Sequence, residues 1–138
     1  MNRTRSSSPN YFKTTQARKN TELLEDYVEA IHEISSSKKS VKNVDLCNFF
    51  GVSNATVNKN IKRLIKAKLV TSEKYKSIFL TTSGKKLAEK SNTRHQIVFD
   101  FLRKMGVCKK TAEEDSEGME HHISDETLKL MKSFIKSN

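Results

Sequence analysis

The sequence predicts a mainly α-helical fold with a small β-wing, in which an N-terminal winged helix-turn-helix is followed by a C-terminal helical domain. Three observations support this prediction. A short helical segment, a glycine turn and a helix with one basic face follow each other between residues 43 and 68. Two strand-like runs come directly after them. A long helical pattern then leads into two shorter amphipathic segments.

The N-terminal stretch, residues 1–21, carries five basic and no acidic side chains and includes the run Ser6-Ser7-Ser8-Pro9. This composition predicts a disordered basic tail. From Glu22 onward, apolar residues at three- and four-residue spacing predict the first helix. Its other faces carry Asp26 and Glu29. The apolar seam of this helix consists of Leu23, Leu24, Tyr27, Val28, Ile31 and Ile34.

A second, short helix is predicted over Asn43–Phe50, with Val44, Cys47 and Phe50 buried. Gly51 is expected to end this helix and Ser53 to cap the next one. The third helix is predicted from Asn54 to about Lys68. Its expected core residues are Val57, Ile61, Leu64 and Ile65.

A short helix, a glycine turn and a helix with a polar, basic face are typical of a helix-turn-helix, whose second helix enters the DNA major groove. We therefore expect this face and the turn before it to contact DNA. The candidate residues are Ser53, Asn54, Thr56, Lys59, Lys62 and Arg63.

The strand-like runs Leu69–Glu73 and Ser77–Leu80 are joined by Lys74-Tyr75-Lys76. A hairpin directly after the recognition helix predicts a wing with a basic tip. We expect Lys74 and Lys76 to meet DNA phosphates, because lysine contacts to the backbone position a protein on DNA without reading its sequence. The winged helix-turn-helix domain is thus predicted over residues 22–82.

Thr82 or Ser83 is expected to cap a long helix that runs to about Met105 and stops at Gly106. A further helix is predicted over Lys109–His122, and Ser124 should cap the last one. Residues 83–138 therefore form a linking helix and a helical domain for dimerisation and metal sensing. The exposed apolar seam of this domain is expected to pack against a copy of itself, giving a two-fold homodimer.

The net charge of +10 is unevenly distributed. Residues 53–90 carry ten basic and two acidic side chains, whereas residues 91–138 carry eight of each. Such polarity suits a nucleic-acid-binding module joined to a second function. No apolar run approaches the length of a membrane span, and two distant cysteines do not form a disulfide framework. We expect a cytoplasmic protein that does not enter the membrane.

The hexapeptide Glu117-Gly118-Met119-Glu120-His121-His122 is the main chemical motif. On a helix, Glu117, Glu120 and His121 share a face because residues three and four apart are neighbours. Two carboxylates and an imidazole on one patch make half of a site for a divalent cation. A solvated acidic helix is the alternative at this point.

Three stretches together resemble the metal-dependent repressors of the diphtheria-toxin-repressor family, and most closely its manganese-responsive branch. The resemblance covers about residues 22–138. The stretches are Glu25-Asp26-Tyr27-Val28-Glu29, Arg94-His95-Gln96-Ile97-Val98 and Asp115-Ser116-Glu117-Gly118-Met119-Glu120-His121-His122.

The resemblance implies a repressor that binds a palindromic operator in double-stranded DNA and controls metal-homeostasis genes, with two Mn²⁺ ions per chain. Asp26 and His95 would serve one ion and Glu29 and His121 the other. Iron-responsive members carry a cysteine where this chain has Glu117, which favours manganese. The implied ligands are Asp26, Glu29, His95, Glu117, Glu120 and His121.

Two other interpretations remain open at the level of sequence. The chain could be a winged-helix regulator that responds to another metal, iron or zinc, or to a non-metal signal. It could also be a dinuclear carboxylate enzyme. That class usually needs Glu-x-x-His pairs on bundle helices. Three residues after Glu117 stands Glu120, so this pair is absent from the motif, and we expect no enzyme activity.

Overall fold

The first helix, α1, spans Pro9–Ser35 and contains 27 residues. The computed structural model describes residues 9–73 and 77–138, with side chains placed from residue 16 onward. α1 is therefore longer at its N-terminal end than the sequence predicted.

This extension corrects the prediction of a disordered tail over residues 1–21. Residues 9–21 are helical, and residues 1–8 lie outside the described part of the chain. Proline is tolerated in a first helical turn, where its missing N–H costs no hydrogen bond. The following segment Gln16–Lys19 consists of good helix formers.

The predicted helix-turn-helix is confirmed. α2 spans Asn43–Phe50 and α3 spans Asn54–Lys66. Between them Gly51 adopts the left-handed conformation with φ 65°, which glycine reaches without steric cost. The side chain of Ser53 accepts a hydrogen bond from the backbone N–H of Thr56 and caps α3.

Two side chains that were predicted to lie in the core, Val44 and Ile65, are exposed instead. Leu46 fills the inward face of the two-turn helix α2, and Val44 lies two residues away on the opposite side. In α3 the inward stripe includes Asn60, whose Nδ2 donates a 3.0 Å hydrogen bond to the hydroxyl of Tyr27 on α1. This polar pair is satisfied within the core, as buried polar groups generally are.

The wing is also confirmed. Strands β1 (Val70–Ser72) and β2 (Ile78–Leu80) pair in antiparallel fashion. Ile78 also bridges to Val41, which anchors the hairpin to the segment before α2. Residues 74–76, which were predicted to form the tip, lie outside the described residues.

The long helix α4 spans Thr82–Met105 and links the two halves of the chain. Its cap is Thr81, whose hydroxyl accepts a 3.0 Å hydrogen bond from the N–H of Gly84. The predicted caps, Thr82 and Ser83, are therefore wrong by one or two residues. Gly106, at φ 104°, ends the helix as predicted.

Two apolar cores lie along α4. The larger one joins α1, α2, α3 and the wing, and α4 contributes the buried Ala88 with Leu87 packed against it. The smaller one contains Val98 and Leu102 of α4 together with Ala112. Because one continuous helix enters both cores, the orientation of the two halves is set along its length.

The C-terminal half consists of α5 (Lys109–Met119), a 3-10 turn (Glu120–His122) and α6 (Asp125–Lys136). The helix predicted to reach His122 thus ends at Met119, and the last three residues form the tighter 3-10 turn. Ser124 caps α6 as predicted, because its side chain accepts a hydrogen bond from the N–H of Thr127.

Large apolar side chains remain exposed along the outer face of α6, notably Leu130 and Phe134. Phe134 packs edge-on against Phe101 of α4, with ring centroids 5.3 Å apart. This face leaves apolar surface available to a second subunit. Among the described residues, no helix combines the length and the apolar character that crossing a membrane requires.

Candidate metal centre

The site is built by four elements that meet where the two halves of the chain face each other. α1 provides Asp26 and Glu29, three residues apart and therefore on one helical face. α4 provides His95, and α5 provides Glu117. The Glu120–His122 turn provides its first two residues. All six ligands implied by the family resemblance lie in groups of His, Asp and Glu side chains that could hold a metal ion.

One group consists of His95, Glu117 and Glu120. Nδ1 of His95 lies 3.7 Å from Oε1 of Glu117. The two carboxylates differ sharply in environment, because the side chain of Glu117 is 66% exposed whereas Glu120 is fully buried. This group therefore joins an accessible ligand to an interior one.

The second group, Glu29, Glu120 and His121, is the most buried part of the site. In the described chain, Oε1 of Glu29, both carboxylate oxygens of Glu120 and Nε2 of His121 are buried without a hydrogen-bond partner. Buried polar atoms are normally hydrogen-bonded, and leaving one unpaired costs about 1–3 kcal/mol. Four such atoms in one place indicate that a ligand completes the site.

Burial raises the pKa values of these carboxyls. Burial, followed by the nearby charge of Glu29, raises the pKa of Glu120 to about 9. Burial likewise raises the pKa of Glu29. At neutral pH the metal-free site therefore holds protons that a cation would replace.

The third group, Glu22, Asp26 and His121, contains a residue that the sequence analysis missed. Glu22 lies four residues before Asp26, one helical turn away on α1. That four-residue spacing could have identified Glu22 as a candidate ligand. It was missed because Glu22 directly follows residues 1–21, which were predicted to form a disordered tail. Oε2 of Glu22 also lies 3.0 Å from Nε2 of His122.

A carboxylate that the sequence analysis also missed orients His121. Oε2 of Glu25 lies 2.5 Å from Nδ1 of His121, whose side chain is 1% exposed. A carboxylate on one imidazole nitrogen fixes the ring and directs the other nitrogen toward a metal. Oδ1 of Asp26 lies 2.9 Å from that other nitrogen, Nε2, but is not directed for a hydrogen bond. Burial alone lowers the pKa of His121, but the Asp26 and Glu25 carboxylates outweigh it and raise the pKa to about 11.

The donor set fits a divalent cation. It contains carboxylate oxygens and imidazole nitrogens without thiolate, the combination that suits Mn²⁺ and related hard or borderline ions. A cleft of about 390 Å³ opens beside Asp26, Glu29 and Glu117 and gives the site access to solvent. The grouping differs in one respect from that implied by the resemblance. Asp26 lies with His121, whereas His95 lies with Glu117 and Glu120.

The predicted DNA-contacting residues occupy a different surface. Asn43 of α2 donates hydrogen bonds to the side chains of Asn54 and Asn58. Asn43 and Asn58 are two polar groups of this surface that the sequence analysis did not include. Lys74 and Lys76 lie outside the described residues. The six predicted residues of α3 and its N-terminal turn are all exposed: Ser53, Asn54, Thr56, Lys59, Lys62 and Arg63.

Comparison with protein families gives two adjacent matches. Residues 19–78 match the N-terminal DNA-binding domain of iron-dependent repressors. Residues 81–137 match the metal-binding and dimerisation domain of iron-dependent repressors. Together the two matches include all four elements that build the site.

Curated relatives include the transcriptional regulator MntR of Escherichia coli O157:H7, which is 39% identical over 127 residues. That alignment covers 92% of this chain and 82% of the relative. The transcriptional regulator MntR of Salmonella typhimurium is also 39% identical over 127 residues, covering 92% of this chain and 81% of the relative.

Two solved structures show the same arrangement of the backbone. The manganese regulator SloR superposes with a TM-score of 0.71 at 26% identity, over 81% of this chain and 53% of the other. A manganese-dependent transcriptional repressor in complex with manganese gives a TM-score of 0.73 at 25% identity, over 81% and 52%. The chain thus spans about half the length of these two structures.

Proposed function

We propose a manganese-responsive DNA-binding switch for this chain, which belongs to the iron-dependent repressor family of metal-dependent transcriptional regulators. Proteins of this family are regulators and not enzymes. We assign DNA binding to residues 22–82, to which residues 9–21 of α1 are attached, and dimerisation and metal sensing to residues 83–138. As a repressor, the chain would control genes of metal homeostasis from the cytoplasm.

One observation carries the proposal: the site joins the two halves of the chain. Asp26 and Glu29 belong to α1, which packs in the larger core with the DNA-binding helices. Glu117, Glu120 and His121 belong to the C-terminal half. A metal ion can hold the two halves together only if both halves supply ligands. Both do so here, and buried ligand atoms without a hydrogen-bond partner lie between them.

Without metal, Glu29 of α1 and Glu120 of the C-terminal half cannot readily be ionised together. Burial raises the pKa of both Glu29 and Glu120, and the charge of Glu29 adds to the rise at Glu120. A bound Mn²⁺ would supply the positive charge that neutralises and bridges these groups. The residues of α1 would then be held against the Glu120–His122 turn, and one arrangement would be selected from several.

Manganese is favoured by the ligand chemistry and by the relatives. Glu117 stands where a thiolate would favour softer metals. Both solved structures described above are manganese regulators by name. We propose two ions per chain, because Glu120 belongs to two of the ligand groups. Zn²⁺ would bind more tightly to most such sites, so selectivity must come from geometry and from the metal available in the cell.

Fixing α1 would fix the recognition helix α3, since both belong to one core. In a two-fold dimer, this would set the separation of the two α3 helices near one helical turn of DNA, about 34 Å. The exposed lysines of α3 would enter the groove of a palindromic operator, and the wing lysines would meet the backbone.

The direct test is DNA binding with and without metal. A duplex selected from a random pool in the presence of Mn²⁺ serves as the probe, and fluorescence anisotropy measures affinity in Mn²⁺ and in EDTA. We expect at least a tenfold loss in EDTA for the unaltered chain. Glu120→Gln should bind weakly in both conditions. Glu114→Gln, an exposed glutamate on α5 outside the ligand groups, is the matched control and should behave like the unaltered chain.

The alternatives give different results in the same assay. Equal affinity in Mn²⁺ and EDTA would contradict metal control and favour a non-metal signal. Restoration of binding by Fe²⁺ or Zn²⁺ but not by Mn²⁺ would assign the chain to another metal. Calorimetric titration of Mn²⁺ into the metal-free chain counts the ions, and a plateau at one per chain would contradict the dinuclear proposal.

A further inference from the structure

Arg94 lies on α4 immediately before the candidate ligand His95, and its guanidinium reaches the turn that carries two other ligands. Nε and Nη2 of Arg94 donate hydrogen bonds of 3.2 and 3.0 Å to the backbone carbonyl of Glu120. Nη2 also donates to the carbonyl of Ile123. Nη1 pairs with Oδ1 of Asp125 at 3.0 Å. The side chain of Arg94 is only 15% exposed.

The side chains of His121 and His122 connect the Glu120–His122 turn to Glu25 and Glu22 of α1, whereas its backbone carbonyls depend on other donors. It is a single 3-10 turn without a side-chain cap, between the end of α5 and the start of α6. The carbonyls at the end of a helical segment have no partner within that segment and carry partial negative charge. Arg94 supplies donors to the carbonyls at the beginning of the turn and directly after it.

The position of this turn decides where two buried ligands lie. Both carboxylate oxygens of Glu120 and Nε2 of His121 have no hydrogen-bond partner among the described residues. The Glu120 carboxyl faces other ligand side chains, Glu29 and His121, so its place depends on the backbone that Arg94 holds. The same guanidinium reaches Asp125 in the first turn of α6, so it connects the ligand turn with α4 and α6.

We propose that Arg94 is a positioning residue, which clamps the Glu120–His122 turn to α4 and so preorganises Glu120 and His121 for metal. This inference rests on the proposed Mn²⁺ site. Arginine suits the role because its planar group presents several donors in a fixed fork. Lysine carries the same charge on a compact ammonium group, which cannot donate hydrogen bonds to these three oxygen atoms in that geometry.

The sign of the effect separates positioning from simple electrostatics. Arg94 is a cation close to a cation site, so its charge alone opposes the binding of metal. Removing that charge would strengthen Mn²⁺ binding if electrostatics were the whole effect. The clamp predicts the opposite, a weaker site, because the ligands are no longer held where the ion needs them.

The chain offers matched controls for this test. Arg103 also lies on α4 and also donates to a backbone carbonyl, that of Val107 at 2.9 Å, outside the ligand groups. Asp125→Asn removes the ion pair with Arg94 while leaving the carbonyl hydrogen bonds intact. The side chain of Asp125 is 90% exposed, so this pair should contribute little. The test set is Arg94→Gln, Arg94→Lys, Arg103→Gln and Asp125→Asn.

The first measurement uses metal-free protein in EDTA. Hydrogen exchange followed by mass spectrometry should show faster exchange in residues 119–124 for Arg94→Gln, and unchanged exchange there for Arg103→Gln. The second measurement is calorimetric titration with Mn²⁺. Arg94→Gln should raise the Kd for Mn²⁺ about 10- to 100-fold, the usual effect of removing a group that orients metal ligands. Arg94→Lys should lie in between, and both control variants should stay within about twofold.

A spectroscopic readout distinguishes positioning from a general loss of stability. The electron paramagnetic resonance line shape of bound Mn²⁺ reports the symmetry of its ligands, and it should change in Arg94→Gln but not in Arg103→Gln. Unchanged Mn²⁺ affinity, or tighter binding, in Arg94→Gln would overturn the clamp. So would a loss of affinity without faster exchange in residues 119–124. If the unaltered chain itself binds no Mn²⁺, the proposed switch fails and the clamp with it.

Discussion

Replacing Glu120 by glutamine should make the metal-free chain more stable while abolishing tight metal binding. Glu120 is fully buried, and within residues 9–73 and 77–138 neither of its carboxylate oxygens has a hydrogen-bond partner. Burial, and then the charge of Glu29, raises its pKa from 4.5 to about 9. At pH 7 the folded chain holds this group protonated, whereas the unfolded chain ionises it. Glutamine resembles the protonated form in size and charge but has no proton to gain on folding.

The magnitude follows from the interval between the unfolded pKa and the working pH. From 4.5 to 7 is about 2.5 units, and each unit corresponds to about 1.4 kcal/mol, so the ceiling is about 3 to 4 kcal/mol. Because the pKa of an acid is raised by folding, Glu120 destabilises the fold increasingly as pH rises from 4.5 toward 9. The stability difference between Glu120→Gln and the unaltered chain should therefore be near zero at pH 4.5 and largest near pH 9.

Urea denaturation of both proteins in EDTA at pH 5 and pH 8 measures this difference. Glu117→Gln is the matched control, because that carboxylate is 66% exposed and its removal should leave stability unchanged. Both variants should lose Mn²⁺ affinity. A Glu120→Gln chain that is no more stable than the unaltered chain at pH 8 would refute the reasoning.

Three further results are expected. Mn²⁺ binding should release protons, because the raised pKa values of Glu120 and His121 leave both groups protonated at pH 7. Equal binding heats in buffers of different ionisation enthalpy would contradict this proton release. Gly84→Ala should destabilise the chain by about 3 kcal/mol, because the new Cβ would lie 2.1 Å from the carbonyl oxygen of Leu69. Thermal unfolding measures this loss of stability. An unchanged midpoint would show that α4 can shift away from the wing. Lys59→Ala should reduce the slope of log affinity against log salt by about 1 if the residue meets a phosphate, and an unchanged slope would remove it from the interface.

The parts of the fold that the sequence predicted well carry local signals. α2 has the predicted limits because Gly51 ends it in a left-handed conformation and Ser53 caps the helix that follows. The wing follows from two short strand-like runs that pair in register. In each case the residues that determine the structure are neighbours in sequence, so no knowledge of the rest of the chain is needed.

The parts that were wrong depend on contacts between distant residues or on a balance of weak preferences. The exposure of Val44 follows from Leu46 facing the core, which periodicity over two helical turns does not decide. The helical character of residues 9–21 has no strong start signal apart from Pro9, and their basic composition indicated disorder instead.

The candidate site shows the same division. Spacing placed Glu117, Glu120 and His121 on one helical face, but the helix tightens after Met119. Tightening leaves Glu117 exposed and places Glu120 in the interior, so the two carboxylates differ in environment. The roles of Glu22 and Glu25 need the packing of α1 against the turn, which spacing alone does not reveal.

α1 connects the candidate metal centre with the surface that is proposed to bind DNA. Asp26 and Glu29 extend from it toward the C-terminal half, while Tyr27 between them accepts a buried hydrogen bond from Asn60 of α3. A rotation of α1 large enough to separate the carboxylates from the Glu120–His122 turn would therefore also strain the contact with α3. The recognition helix must follow α1, because buried polar partners are costly to separate. Metal control of DNA binding thus needs no additional mobile element, because α1 carries metal ligands on one side and packs against the recognition helix on the other.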